Sequence, residues 1–255
     1  MIFTDTHTHL YSKEFENEST QLIEKAIKNG VSRLFIPNID LYSIQPMLDL
    51  VWLFPENCFP MMGLHPCSVA ENVDEQLFQI HKWFKKRKFY AVGEIGLDFY
   101  WSTEFKEQQI MAFKKQCMWA IQQDLPINIH ARNATPDVIA ILQEMKHPKL
   151  RGIFHCFSGN STEAKQVVEM GFYLGIGGVI TFKNSGLSEA IADIDLQNIV
   201  LETDAPYLAP VPFRGKRNES FYVIEVAKKL AELKQVSLKN VADITTENSK
   251  IIFGI

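Results

Sequence analysis

Eight short apolar runs, rich in β-branched and aromatic residues, recur along this chain at Ile2–Thr8, Arg33–Asn38, Phe59–Leu64, Tyr90–Gly96, Ile127–Ala131, Gly152–Phe157, Phe172–Gly177 and Ile199–Thr203. Most are almost uninterrupted in their hydrophobicity, the pattern of parallel strands buried on both faces. The segments between them are amphipathic with helical spacing, most plainly Phe105–Gln123, Pro136–Lys146, Thr162–Gly171 and Glu219–Leu233. Asn160-Ser161-Thr162 reads as a helix start, and Gly30 and Gly171 as helix stops. Eight strand–helix units in 255 residues give about 30 residues per unit, the size of a βα module. The expected fold class is therefore α/β, a (β/α)8 TIM barrel spanning residues 1–255 as a single domain, since no linker or low-complexity tract interrupts the repeat. An open doubly wound sheet would carry a glycine-rich phosphate loop after its first strand. That place is taken here by two histidines.

Asp5-Thr6-His7-Thr8-His9 closes the first apolar run. Strand residues two apart face the same side, so His7 and His9 can approach one metal ion together. Glu94 sits in Val92-Gly93-Glu94-Ile95-Gly96, His130 follows Ile127-Asn128-Ile129, His155 follows Gly152-Ile153-Phe154, and Asp204 follows Ile199-Val200-Leu201-Glu202-Thr203. Each stands at or near the C-terminal end of a strand, the face on which barrel enzymes build their sites. Six metal-competent side chains exceed the three that a mononuclear catalytic zinc uses. They suit two divalent ions, with zinc, manganese, magnesium or iron as candidates. Glu94 is the candidate bridge, because one carboxylate offers two oxygens. Asp204 is the candidate general base, taking the proton of an activated water while also ligating.

The chain carries 26 Lys and Arg against 30 Asp and Glu, a formal net charge of -4. No global positive field draws in nucleic acid, so a polyanionic substrate would be held by bound cations or a local patch. Cys58, Cys67, Cys117 and Cys156 lack C-x-x-C spacing and read as reduced thiols. The opening MIFTDTHTHL shows no secretory pattern, and no apolar stretch has membrane-spanning length. The expectation is a cytoplasmic protein without membrane association, monomeric by default and without an obligate protein partner.

The motifs H-T-H (7–9), G-L-H-P (63–66), G-E-I-G-L-D (93–98), I-H-A-R (129–132), H-C-F-S-G (155–159) and E-T-D-A-P-Y-L (202–208) resemble, in order, those of the TatD family of metal-dependent deoxyribonucleases. The resemblance implies a TIM-barrel metallohydrolase of the amidohydrolase superfamily acting on DNA. It also implies metal ligation by His7, His9, Glu94, His130, His155 and Asp204. One departure is Ser220, where family members usually carry proline in R-N-E-P. At the opening of a helix, only a small local effect is expected from it.

On the substrate side, His65 could hydrogen-bond a phosphate oxygen or a leaving group, or else cap the Pro66 turn. Arg132, two residues after His130, could bind phosphate through its guanidinium, or pair with Asp98. Arg214, Lys216 and Arg217 follow the last strand and could form a local cationic patch, whereas Lys82, Lys85, Lys86, Arg87 and Lys88 read as a solvated helix end on the opposite face. Tyr100 and Trp101 could stack on a base or pack beneath a loop. Glu202 could orient a ligand. The reading is a two-metal deoxyribonuclease removing nucleotides from DNA ends. The alternatives are hydrolysis of a small amide, lactone or ester on the same centre, and a non-catalytic metal-binding scaffold.

Overall fold

All eight apolar runs become strands in a computed structural model that describes residues 1–255. They are β1 (Phe3–Asp5), β2 (Val31–Pro37), β3 (Cys58–Met61), β4 (Val92–Asp98), β5 (Ile127–Arg132), β6 (Gly152–Phe154), β7 (Tyr173–Ile176) and β8 (Ile199–Leu201). Between and after them run α1 (Ser19–Lys28), α2 (Ile44–Leu53), α3 (Val73–His81), α4 (Lys106–Gln123), α5 (Thr135–Met145), α6 (Ser161–Glu169), the one-turn α7 (Leu187–Ala190), α8 (Val223–Lys234) and α9 (Leu238–Phe253).

The strands pair in parallel as β1-β2-β3 and β4-β5-β6-β7-β8. Backbone hydrogen bonds stitch the two arcs into a ring. On one side Tyr90 N donates to Pro60 O at 3.0 Å and Gly93 N to Met62 O at 3.1 Å. On the other, Thr6 N donates to Leu201 O at 3.0 Å, Asp204 N to His7 O at 3.0 Å and His9 N to Ala205 O at 2.8 Å. Closure leaves no open sheet edge, as a (β/α)8 barrel requires. β1 ends at Asp5 and not at Thr8 because the next residues bond to both neighbours in turn: Thr6 N reaches β8, and Thr8 N reaches Phe35 O at 3.1 Å.

The helix signals hold. Asn160 caps α6, its side chain accepting from Thr162 N at 2.9 Å and Glu163 N at 3.1 Å, while Glu163 Oε2 accepts from Asn160 N at 2.7 Å. This reciprocal arrangement satisfies donors that would otherwise be orphaned. Gly30 (φ +89°) and Gly171 (φ +82°) end their helices in the left-handed region, where a Cβ is costly. No helix is long and apolar enough to cross a membrane.

A 62-residue apolar cluster fills the space between barrel and helices. A smaller one lies inside the barrel, joining Phe35, Met61, Ala91, Ile153 and Val200 to Ile252 and Phe253 of α9. The Phe253 ring stacks on Phe35 with centroids 3.6 Å apart. Because inward residues alternate, the positions beyond this apolar layer along β6 and β8 are His155, Glu202 and Asp204. Removing the plug should loosen the floor of the site: Phe253→Ala is expected to lower stability by about 3–5 kcal/mol, the usual loss for a buried aromatic, measured by denaturant unfolding.

Candidate active site

The strand alternation brings His7, His9, Glu94, His130, His155 and Asp204 to one end of the barrel, around Glu94. This carboxylate is 2% exposed, and its two oxygens face different partners. Oε2 lies 3.2 Å from His7 Nε2 and 3.5 Å from His9 Nε2. Oε1 lies 2.9 Å from His130 Nδ1 and 3.3 Å from His155 Nε2. Asp204 Oδ1 stands 3.8 Å from His7 Nε2 and 3.6 Å from His9 Nε2. Three overlapping groups of these side chains and His65 have ligand atoms close enough to hold a metal ion.

The second nitrogen of each ring decides which of these histidines offers a lone pair. His7 Nδ1 donates to Asn128 Oδ1 at 2.8 Å. Tyr11 OH donates to Pro37 O at 2.8 Å, so its oxygen accepts from His9 Nδ1 at 3.2 Å. His130 Nε2 donates to Asp98 Oδ2 at 2.8 Å, and His155 Nδ1 to Glu202 Oε1 at 3.1 Å. In the neutral ring the opposite nitrogen is then an acceptor, and all four acceptors point at Glu94. His65 is the exception. Its Nδ1 accepts the backbone N–H of Cys67 at 3.0 Å, which puts the ring proton on Nε2, 3.3 Å from Glu94 Oε1. Proximity alone would group His65 with the ligands, but its tautomer makes it a hydrogen-bond donor.

The charges follow from this packing. Burial pushes the Glu94 carboxyl up, yet His65, His7 and His155 and the His130 hydrogen bond outweigh it and hold the group well below the usual carboxylate range. Burial likewise opposes the charge on His155, but Glu202 and Glu94 raise its pKa well above the ordinary imidazole value. Asp98, despite desolvation, is held at about 2 by His130 and by the backbone amides of Trp101 and Tyr100. Once the ring protons facing it are lost, this buried carboxylate and the imidazole nitrogens around it form a donor set that fits divalent cations.

Local backbone geometry aims the reactive groups. Asp204 and Cys156 have φ of 56° and 45°, a left-handed conformation that L residues other than Gly adopt sparingly. Glu202 fits inside the ring because β7 presents glycine opposite it. A Cβ on Gly175 would lie 2.3 Å from Glu202 Oε2 and 3.1 Å from His155 Cα. Ser220 does more than open a helix. Its hydroxyl meets Thr8 Oγ1, between the two histidines of H-T-H, at 2.9 Å, a contact that proline cannot make.

A cavity of about 680 Å³ opens above the centre, walled in part by His65, Trp101, Arg132, Cys156, Asp204 and Tyr207. Arg132 does not pair with Asp98, which is engaged by His130. Its guanidinium instead lies 3.9 Å from the Tyr100 ring centroid and 5.2 Å from that of Trp101. The expected cationic patch after β8 is reduced. Arg217 is bound to Glu18 at 2.6 Å and to Glu14 O at 2.6 Å, and Arg214 lies over Phe182 at 4.4 Å. The lysine run stands on the segment leading into β4, away from the centre, with Lys82, Lys86 and Lys88 covering aromatic rings. Tyr11 and Asn128 were not marked by residue type. Tyr11 follows His9 by two residues in the turn after β1, a local spacing signal, whereas the contact of Asn128 with His7 spans 121 positions and has no local signal.

A family model described as TatD related DNase matches residues 4–254. The chain belongs to the TatD family. It is 38% identical over 256 residues to the uncharacterized metal-dependent hydrolase YabD of Bacillus subtilis, with 100% of both chains covered. It is 29% identical to the 3'-5' ssDNA/RNA exonuclease TatD of Pectobacterium parmentieri, over 98% of this chain and 99% of that one. The crystal structure of YJJV, a TatD homolog from Escherichia coli K12, superposes with a TM-score of 0.93 at 28% identity, covering 99% of this chain and 98% of the other. The protein is thus a TatD-family metal-dependent hydrolase on a TIM barrel. Within this TatD barrel, Gly175→Ala should displace Glu202 and lower stability by about 1–3 kcal/mol, the cost of overpacking a filled interior, read from the shift of the unfolding midpoint.

Proposed function

We propose that the protein is a two-metal nuclease that hydrolyses phosphodiester bonds at the ends of single-stranded or frayed DNA. The observation that carries this reading is the division of Glu94, with each oxygen facing a separate pair of imidazole nitrogens. His7, His9 and Asp204 with Glu94 Oε2 would hold one ion, and His130 and His155 with Glu94 Oε1 the other. Divalent cations of this kind, zinc, manganese, magnesium or iron, supply Lewis acidity at the phosphoryl oxygens and a nucleophilic water at neutral pH.

The chain's own residues do the rest. Asp204, whose Oδ1 stands near His7 and His9 and which lines the cavity, would take the proton of the nucleophile. His65, whose Nε2 lies 3.3 Å from Glu94 Oε1 and which lines the cavity, would offer its N–H to a non-bridging or leaving oxygen of the bound substrate. Arg132, with no carboxylate within ion-pairing range, offers its guanidinium to a phosphate oxygen. An uncommitted guanidinium and an N–H donor beside the centre match an anionic substrate, which a neutral lactone or amide is not. The name of the Pectobacterium relative also supports a nucleic acid.

The test is a substrate panel of single-stranded DNA, a carboxylic ester and a cyclic amide, with metal-loaded protein. Nucleotide release is expected from DNA alone, abolished by chelation. Asp204→Asn is expected to reduce kcat by roughly 10²–10⁴-fold, the range for loss of a general base, and Glu94→Gln, which removes the shared carboxylate, to reduce it at least as far. Release equal to wild type in both variants, or turnover of the ester or amide only, would overturn the reading.

Metal loading also has a proton signature. Glu202 and Glu94 raise the His155 pKa well above its ordinary value, and Asp98 and Glu94 raise that of His130. Ligation requires the deprotonated ring nitrogen, so loading at neutral pH should release protons and affinity should fall as pH is lowered. Titration calorimetry in two buffers of different ionisation enthalpy measures this. Identical heats in both buffers would contradict it.

A further inference from the structure

The centre accounts for hydrolysis of a phosphodiester but leaves unexplained two exposed aromatic side chains that wall the cavity above it. Trp101, in the loop after β4, is 70% exposed, and Tyr207, in the loop after β8, is 51% exposed. Both line the cavity. In an eight-stranded ring the fourth and eighth strands stand opposite each other, so the two rings come from opposite sides of the barrel mouth, with residues of the histidine–carboxylate centre lining the same cavity.

Each ring is held by the catalytic framework. Asp98 Oδ1 accepts from Tyr100 N at 3.0 Å and Trp101 N at 3.2 Å, while its Oδ2 accepts from His130 at 2.8 Å. One carboxylate therefore sets both a histidine of the centre and the loop that carries Trp101. On the far side, Tyr207 N donates to Asp204 O at 2.8 Å, and the Tyr207 ring stands edge-on to His9 at 6.4 Å between centroids. Tyr100 lies against Arg132 and sets the guanidinium beside Trp101. The wall thus combines a flat π-surface with an adjacent cation, which is the chemistry of a base linked to a phosphate.

We propose that Trp101 and Tyr207 are base-stacking platforms that grip the two nucleotides flanking the scissile phosphate, one on each side of the centre, and so select unpaired ends. This rests on the nuclease reading above and adds to it the residues that set specificity. A paired base has its faces covered by its neighbours in the duplex. Only a strand whose two terminal bases are free can place one on each platform.

The experiment compares a single-stranded oligothymidylate with an abasic oligonucleotide of the same length and phosphate count. Wild type is expected to favour the base-bearing strand in kcat/KM by roughly a hundredfold, about tenfold for each of two base–aromatic stacks. Trp101→Ala and Tyr207→Ala should each cut that preference about tenfold, and Trp101→Phe should retain most of it. A preference near one in wild type, or one that survives Trp101→Ala, overturns the proposal. So does an equal loss on both strands that Trp101→Phe does not restore, because that marks a scaffold for the Asp98 loop.

Cleavage of neither strand by wild type would remove the nuclease reading, and fluorescence anisotropy of both oligonucleotides on the metal-loaded protein would still decide the platforms. Tighter binding of oligothymidylate that depends on Trp101 supports them. Equal binding of the two strands refutes them.

Discussion

A carboxylate almost wholly removed from water, Glu94, governs this structure. An isolated buried carboxylate would be expensive enough to drive protonation. Here it is encircled by the rings of His7, His9, His65, His130 and His155, and His65, His7, His155 and the His130 hydrogen bond hold it in the ionised form. Those rings in turn need partners of their own. Asn128, Tyr11, Asp98 and Glu202 supply them, each fixing one ring nitrogen so that the other faces inward. The polar interior is therefore a set of nested dependencies in which the outer hydrogen bonds determine what the inner atoms can do.

The barrel divides labour between strands and loops. Groups around Glu94 come from strands or from backbone that still bonds to neighbouring strands, as with His7 and Asp204. They sit above an apolar floor closed by Phe253. Trp101 and Tyr207 come from the loops beyond. The proposed chemistry, which tolerates little displacement, thus sits on rigid elements, and the proposed recognition on segments that sequence change can remodel.

Much of this was legible in the sequence. All eight strands announced themselves as apolar runs, and the six residues proposed as ligands stood at or near the ends of those runs. Strand ends were less legible: β1 stops at Asp5 because the following backbone alternates between two neighbours, a tertiary effect that no local pattern carries. The pairing of Asp98 with His130 and not Arg132 depends on which of two nearby groups the fold turns inward. Ser220 looked like a neutral replacement for proline at a helix start, and its hydroxyl proves to reach Thr8, more than two hundred residues away in sequence. The helix α9 ends in Phe253, whose place inside the ring follows from topology and not from periodicity.

The seam between β1 and β8 joins the first and last strands of the ring. His7 and Asp204 lie about three quarters of the chain apart in sequence, yet Asp204 N bonds directly to His7 O. During synthesis the first histidines leave the ribosome long before β8 exists to complete the ring. Nothing short of the last strand can bring Asp204 into place, and α9 must still follow to supply the floor. A nascent or truncated chain therefore lacks the assembled centre, and hydrolytic competence arrives late, with ring closure.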